Sequence, residues 1–169
     1  MLEKRDEQGC TPLARAVASG ALSQVKLLLE LGARVEVSPY GNPLLVFSVV
    51  MHCSRDGPEG IQIVRSLLDG ARAQLDADAF TRFLHRMPTG TGIGVVGSIS
   101  ALGYAMKHDK VEVVRCLLGA GVSVAANVSE DLGGVPPLHY ASIYGAAHSL
   151  RVLLGAGASC AAAAPSGKT

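Results

Sequence analysis

The sequence predicts an all-α solenoid of stacked helix pairs joined by short hairpin turns. Three observations carry that expectation. A turn motif ending in Leu, an aliphatic stripe and a late Gly recur in the same order at residues 11–32, 42–70, 100–121 and 136–157. In three of these copies the stripe falls at i, i+3, i+4, as Val25/Leu28/Leu29, Val114/Leu117/Leu118 and Leu150/Leu153/Leu154. That spacing marks a helix buried along one side. The composition is 49% hydrophobic but only 4% aromatic, with no Trp. Such a core is built from Leu, Val and Ala, as repetitive helical layers require.

Each first helix has its own start signal. Thr11, Asn42 and Ser100 stand at the N-cap, with Pro12, Pro43 and Ala101 at the first helical position. A side-chain oxygen there accepts an orphan amide, and proline at N1 costs no hydrogen bond. Pro136 cannot cap in this way, so the fourth copy should begin less sharply. The Gly after each of these three stripes (Gly32, Gly121 and Gly157) suits a left-handed C-terminal cap. Helices are predicted over 12–19, 23–31, 43–52, 61–69, 101–107, 111–119, 137–144 and 147–155, in two layers. Any hairpin strands should be short.

Twelve residues separate Leu13 from Val25, Leu102 from Val114 and Leu138 from Leu150. Nineteen separate Leu44 from Ile63, so seven extra residues, about 54–60, are assigned to a loop rich in turn chemistry. A second insertion falls within residues 72–99. There Phe80, Phe83, Leu84 and Met87 recur at helical spacing. Asp78 is placed as the cap of this extra helix over 79–87 and Pro88 as its end. Arg82, His85 and Arg86 lie on its other face. It reads either as a cover packed on the second and third copies or as a basic docking helix.

Pro136-Pro137-Leu138-His139-Tyr140-Ala141, followed by Leu150 to Leu154 and Gly157-Ala158, resembles the ankyrin repeat. The expected pattern of that family is T-P-L-H-x-A, two helices, a Leu-Leu pair and Gly-Ala. Thr11-Pro12-Leu13 to Gly32-Ala33 is similar. The steps between motifs are 31, 58 and 36 residues, against about 33 in the family. The resemblance implies one domain over 1–169, with repeats at about 6–37, 38–71, 97–122 and 131–158 and an insert at 72–96. Ala164-x-x-Gly167-x-Thr169 matches the register of Asp6-x-x-Gly9-x-Thr11 and reads as the start of a further repeat. The last stripe has little polar cover, so the array is expected to continue. At His139 the family uses imidazole to tie neighbouring turns. Ala14, Leu45 and Gly103 stand there in the other copies, so looser turns are expected.

Two glycine patterns suggest nucleotide sites and are set aside. Gly92-Ile93-Gly94-Val95-Val96-Gly97 spells GxGxxG, but such a site must follow a strand and open a helix. Here a predicted helix and Pro88 precede it. Residues 162–169 resemble a phosphate loop with Ala for the first Gly, and no helix follows to hold the phosphate. Cys10, Cys53, Cys116 and Cys160 have no CxxC spacing, which argues against zinc and for reduced thiols. The five histidines are scattered over different segments, and no acidic pair or Ser/His/Asp set is brought together by spacing.

The net charge of +1 gives no support for nucleic acid or a membrane surface as partner. The longest near-continuous apolar run, residues 43–51, is too short to span a bilayer. The first seven residues are charged and lack the apolar core of a secretory signal. These features point to an intracellular, cytoplasmic protein that is not an enzyme. No cofactor, metal or small-molecule substrate is expected. The resemblance implies a protein-interaction module, a scaffold or adaptor, that binds another protein through its concave face and turns. Alternatives are a regulatory or substrate-recruiting segment of a larger enzyme, or a nucleotide-binding protein. Aligning the copies nominates the ends of the first helices as contact positions: Ala18 and Ser19, Val49 and Val50, Lys107 and His108, Ile143 and Tyr144. Glu7, Gln8, Leu132 and Val135 are nominated in the turns. Ile143 and Tyr144 stand out, because an exposed apolar-aromatic pair is typical of an interface anchor.

Overall fold

The computed structural model describes residues 2–35, 43–54, 58–88, 98–130 and 132–160. Among these residues it is all-α. The helices are α1 (Pro12–Ser19), α2 (Leu22–Glu30), α3 (Leu44–Ser54), α4 (Pro58–Gln74), α5 (Ala77–His85), α6 (Ala101–Lys107), α7 (Val111–Ala120), α8 (Pro137–Ile143) and α9 (Ala147–Gly155). No helix among the described residues is long and apolar enough to cross a membrane.

Packing sorts the helices into two layers. In one layer α1 touches α3, α3 touches α6 and α6 touches α8. In the other, α2, α4, α7 and α9 follow one another in the same way. Each inner helix also packs on its own outer partner. Thus α6 and α7 stack directly on α3 and α4, and the long insertion adds α5 against α4 without interrupting the stack. Val25, Leu67, Leu117 and Leu153, one from each outer helix, are fully buried. They carry the apolar burial that turns isolated helix pairs into a continuous core.

The start signals hold where they are described. Thr11 and Ser100 adopt extended backbone, and their hydroxyls accept from the amides of Ala14 and Gly103. Asn42 lies outside the described residues. Pro136 is extended and offers no side-chain cap. After the outer helices, Gly32, Gly121 and Gly157 sit at φ 86, 107 and 88. The amides that follow them, on Ala33, Val122 and Ala158, return to the carbonyls of Leu28, Leu117 and Leu153. This is the left-handed reversal that only glycine makes without strain.

Several expectations are corrected. The extra residues of the second copy are not all loop: α3 runs on to Ser54 and α4 begins at Pro58. The helix predicted over 61–69 does not end at Gly70, because α4 continues through it to Gln74. The Gln74 side chain explains the extension. Its Nε2 donates to the Ala33 carbonyl at 2.8 Å, and its Oε1 accepts from the Val35 amide at 3.2 Å. Arg72, two residues earlier, donates to the Ala120 carbonyl at 3.1 Å. The last turn of α4 therefore binds the exits of both neighbouring outer helices. In the insert, Asp76 rather than Asp78 caps α5 by accepting from the Ala79 amide at 2.7 Å. Asp78 falls in the first turn, where a carboxylate still suits the helix dipole. The helix ends at His85, ahead of Pro88.

The turns pair only briefly. Ile99 and Ser129 form an isolated antiparallel bridge. The Ser100 amide donates to the Val128 carbonyl at 2.9 Å and the Glu130 amide to the Ser98 carbonyl at 3.0 Å. Gly103 is the reason they can. A Cβ there would stand 2.7 Å from the Val128 oxygen and 2.8 Å from Ile99 Cγ2. The turn at Gly103 is thus the reverse of loose: the missing side chain lets the next turn's backbone rest on α6.

Candidate protein-contact surface

The contact positions nominated from the sequence divide into two groups. Glu7, Gln8, Ser19, His108, Leu132, Ile143 and Tyr144 are exposed, and Ala18 and Lys107 are half-buried. Val49, Val50 and Val135 are buried and cannot meet a partner from the solvent side. The first two fail because α3 is longer than its counterparts. Residues aligned with helix ends elsewhere lie mid-helix here, and α3 packs against α1, α4 and α6. Its segment Leu44-Leu45-Val46-Phe47-Ser48-Val49-Val50 is apolar around almost the whole circumference and buried throughout. Val135 fails because its turn closes on itself. Its carbonyl accepts from the Val128 amide, its own amide donates to the Ser129 carbonyl, and its side chain points inward.

The first turn is held by one carboxylate. Asp6 accepts from the amides of Gln8 and Cys10 at 2.9 and 3.0 Å, and Arg15 Nε donates to it at 2.6 Å. The Cys10 amide and the Arg15 guanidinium hold the Asp6 carboxyl below the usual range. Glu7 and Gln8 are thereby presented at a rigid tip.

The richest part of the surface joins the ends of α6 and α8. Tyr104 and His108 pack ring to ring at 4.8 Å, and Tyr140 and Tyr144 at 4.7 Å. Lys107 Nζ lies 5.6 Å from the Tyr144 ring and links the two pairs across the repeats. Ile143 is 61% exposed and Tyr144 40%. Their neighbours Tyr140 and Ala141 are wholly buried, which fixes the base on which the pair stands. Burial, with the charges of Lys107 and Lys110, lowers the His108 pKa and favours its neutral form. Stacked aromatics beside a cation make an adhesive patch with little rotamer entropy left to lose.

One organising residue gave no motif. Asp109 turns between α6 and α7 at φ 47, at the register where Gly20 and Gly145 stand in the first and last pairs. From there it reaches the next repeat. Ser149 donates to Asp109 Oδ1 through its amide at 2.8 Å and its hydroxyl at 2.7 Å. His148 Nδ1 lies 2.8 Å from Oδ2. Burial pushes the carboxyl up, but the bonds from Ser149 and His148 outweigh it and hold the pKa at about 2. A nonglycine residue in a slot otherwise held by glycine is the one signal that could have marked it.

No cluster of His, Cys, Asp or Glu fit for a metal occurs among the described residues. The Cys116 thiol is pushed up by burial, the opposite of an activated nucleophile. Cys10, Cys116 and Cys160 are free. The buried Nδ1 of His139 makes no hydrogen bond among the described residues. The segment at 164–169 that reads as the start of a further repeat lies outside them, as does the GxGxxG run at 92–97.

Residues 8–38 match the family model of the ankyrin repeat. No curated protein matches the chain at a significant level. As a class, ankyrin repeats are protein-interaction modules and typically not catalytic. Residues 8–38 are thus similar to an ankyrin repeat, and the all-α stack of helix pairs among the described residues is consistent with stacked helix-pair repeats.

Proposed function

We propose that this chain is a scaffold or adaptor, a single array of four repeats that binds another protein through its concave face and turns. The observation that carries the reading is the exposed Ile143–Tyr144 pair, seated on buried Tyr140 and joined through Lys107 to the Tyr104–His108 stack. The turn tips at Glu7, Gln8 and Leu132 and the helix ends at Ala18 and Ser19 extend the same surface. Val49, Val50 and Val135 drop out of it. The reading takes the chain to be intracellular and cytoplasmic and needs no cofactor.

The test is quantitative. Proteins captured by the immobilised chain are identified, and the affinity of each for wild type and for Tyr144→Ala is measured by calorimetry. Losing an interface anchor should weaken the partner by roughly 2 kcal/mol or more, about thirtyfold in Kd. The folded chain should lose only about 1 kcal/mol, the worth of the Tyr140 stack and the Lys107 contact. Unaltered affinity for every captured protein would move the contact face elsewhere.

A further inference from the structure

The outer face of the stack carries a feature that the concave-face reading does not use. Each outer helix presents one exposed cation just before its closing aliphatic residues: Lys26, Arg65, Arg115 and Arg151. On α2 and α4 a carboxylate follows one turn later, Glu30 after Lys26 and Asp69 after Arg65. At this spacing the carboxylate lowers the local positive potential, although neither couple forms an ion pair among the described residues. On α7 and α9 the same position is glycine, Gly119 after Arg115 and Gly155 after Arg151. Neither glycine is needed for space, since a Cβ at either would meet no atom within 4 Å. Both arginines are without a hydrogen bond or ion pair among the described residues.

The two uncovered guanidinium groups line one cavity between α7 and α9, of about 620 Å³. Val111, Leu118 and Val152 give it an apolar lining, and Gly155 leaves its end open. No carboxylate lines it. Glu112, three residues before Arg115, is exposed and forms no ion pair among the described residues, and Asp109 is already engaged by Ser149 and His148. The volume lies within the roughly 300–1,000 Å³ of ligand sites and exceeds what a single inorganic anion would fill.

We infer that the α7–α9 groove is a second docking site, on the face opposite the proposed contact surface, for an acidic protein segment in which carboxylate side chains flank an apolar one. Arg115 and Arg151 take the carboxylates through their planar two-donor forks. Val111, Leu118 and Val152 receive the apolar side chain. The glycines at 119 and 155 keep the site free of a competing internal carboxylate.

The probe is a fluorescein-labelled octapeptide with two glutamates on either side of a Leu-Val centre, followed by anisotropy against the full chain. Saturable binding is expected, weaker when salt is raised from about 50 to about 200 mM. Arg115→Glu and Arg151→Glu should each weaken it by about tenfold or more. Gly119→Asp and Gly155→Glu should also weaken it without lowering Tm, because they restore the internal partner. Lys26→Glu changes net charge equally and should leave binding within about twofold, since it lies far from the groove. Tyr144→Ala should have no effect, which separates this site from the concave face. Four results would overturn the assignment: no saturation up to millimolar peptide, an equal loss in Lys26→Glu, equal affinity for the peptide with glutamine in place of glutamate, or tighter binding of a single-stranded oligonucleotide.

Discussion

Asp109 can do two different jobs, and a substitution series separates them. The residue stands at φ 47, where a β-carbon costs roughly 1 kcal/mol relative to glycine. Its carboxylate also caps α9 from the neighbouring repeat, since Ala146 at the N-cap has no side chain to do so. Ser149 is fully buried, so its amide and hydroxyl lose their acceptor when the carboxylate goes. Stranding buried donors costs about 1–3 kcal/mol each. The His148 contact is mostly exposed and adds little, about 0.5 kcal/mol. Asp109→Ala should therefore cost about 2–6 kcal/mol. Asp109→Gly should cost about 1 kcal/mol less than Ala, because it relieves the backbone. Asp109→Asn keeps an acceptor but not the charge, and should cost about 1 kcal/mol. Urea unfolding followed by circular dichroism at 222 nm gives the order, expected as wild type, Asn, Gly, Ala. A glycine variant more stable than wild type by about 1 kcal/mol, the whole of the backbone relief, would show that the capping bonds contribute nothing. The pH dependence is an internal check. The folded pKa of about 2 lies below the ordinary carboxylate value of about 3.9. The stabilisation is thus complete above about pH 5 and disappears as pH falls towards 2. The gap between wild type and Asp109→Asn should narrow over that interval.

Three further outcomes follow from the packing. Gly103→Ala should destabilise by about 1–3 kcal/mol although alanine is the better helix former, because its Cβ meets the Val128 carbonyl; a rise in Tm would refute the close approach. Phe83→Ala should cost about 3–5 kcal/mol, since Phe83 and Leu84 are buried and Phe80 is held between Phe83 and the Arg72 guanidinium; unchanged stability with lost partner binding would instead make α5 a docking helix. Stability should also decline on acidification from pH 7 to about 5, because His85 and His108 titrate lower in the folded chain than in the unfolded one. The double variant His85→Gln/His108→Gln should flatten that slope, and an unchanged slope would assign it to other groups.

What the sequence made legible is local. A hydroxyl before a first turn, a glycine after an aliphatic stripe and an i, i+3, i+4 pattern each report on a single helix. Thr11, Ser100, Gly32, Gly121 and Gly157 behave as those signals require. Gly70 shows where such signals end. The closing glycine stands three positions after the Leu-Leu pair in three outer helices but only two after it in α4, where Ala71 takes the capping register; α4 runs on, and Gln74 and Arg72 find carbonyl and amide partners on neighbouring repeats. Those partners are 39 to 48 residues away in sequence, and no window along the chain contains them.

The exposure of the nominated positions divides along the same line. Ile143 and Tyr144 are exposed at the end of α8, which matches α1 and α6 in length to within one residue, whereas Val49 and Val50 are buried within the longer α3. Alignment transfers a position, but exposure depends on where the helix ends and on what packs beside it. Asp109 and Gly103 are the sharper cases. Both occupy slots where other copies hold a different residue, and both look in sequence like imperfections of the repeat. In the fold, one supplies the missing cap of the next outer helix and the other supplies the space for the next turn. Departures from a repeat therefore mark the places where one repeat is fitted to its neighbour. The glycines at 119 and 155 belong to the same class, and they differ in one respect. Among the described residues no neighbour uses the room or the charge they leave, and charge complementarity makes the proposed acidic segment the occupant to test.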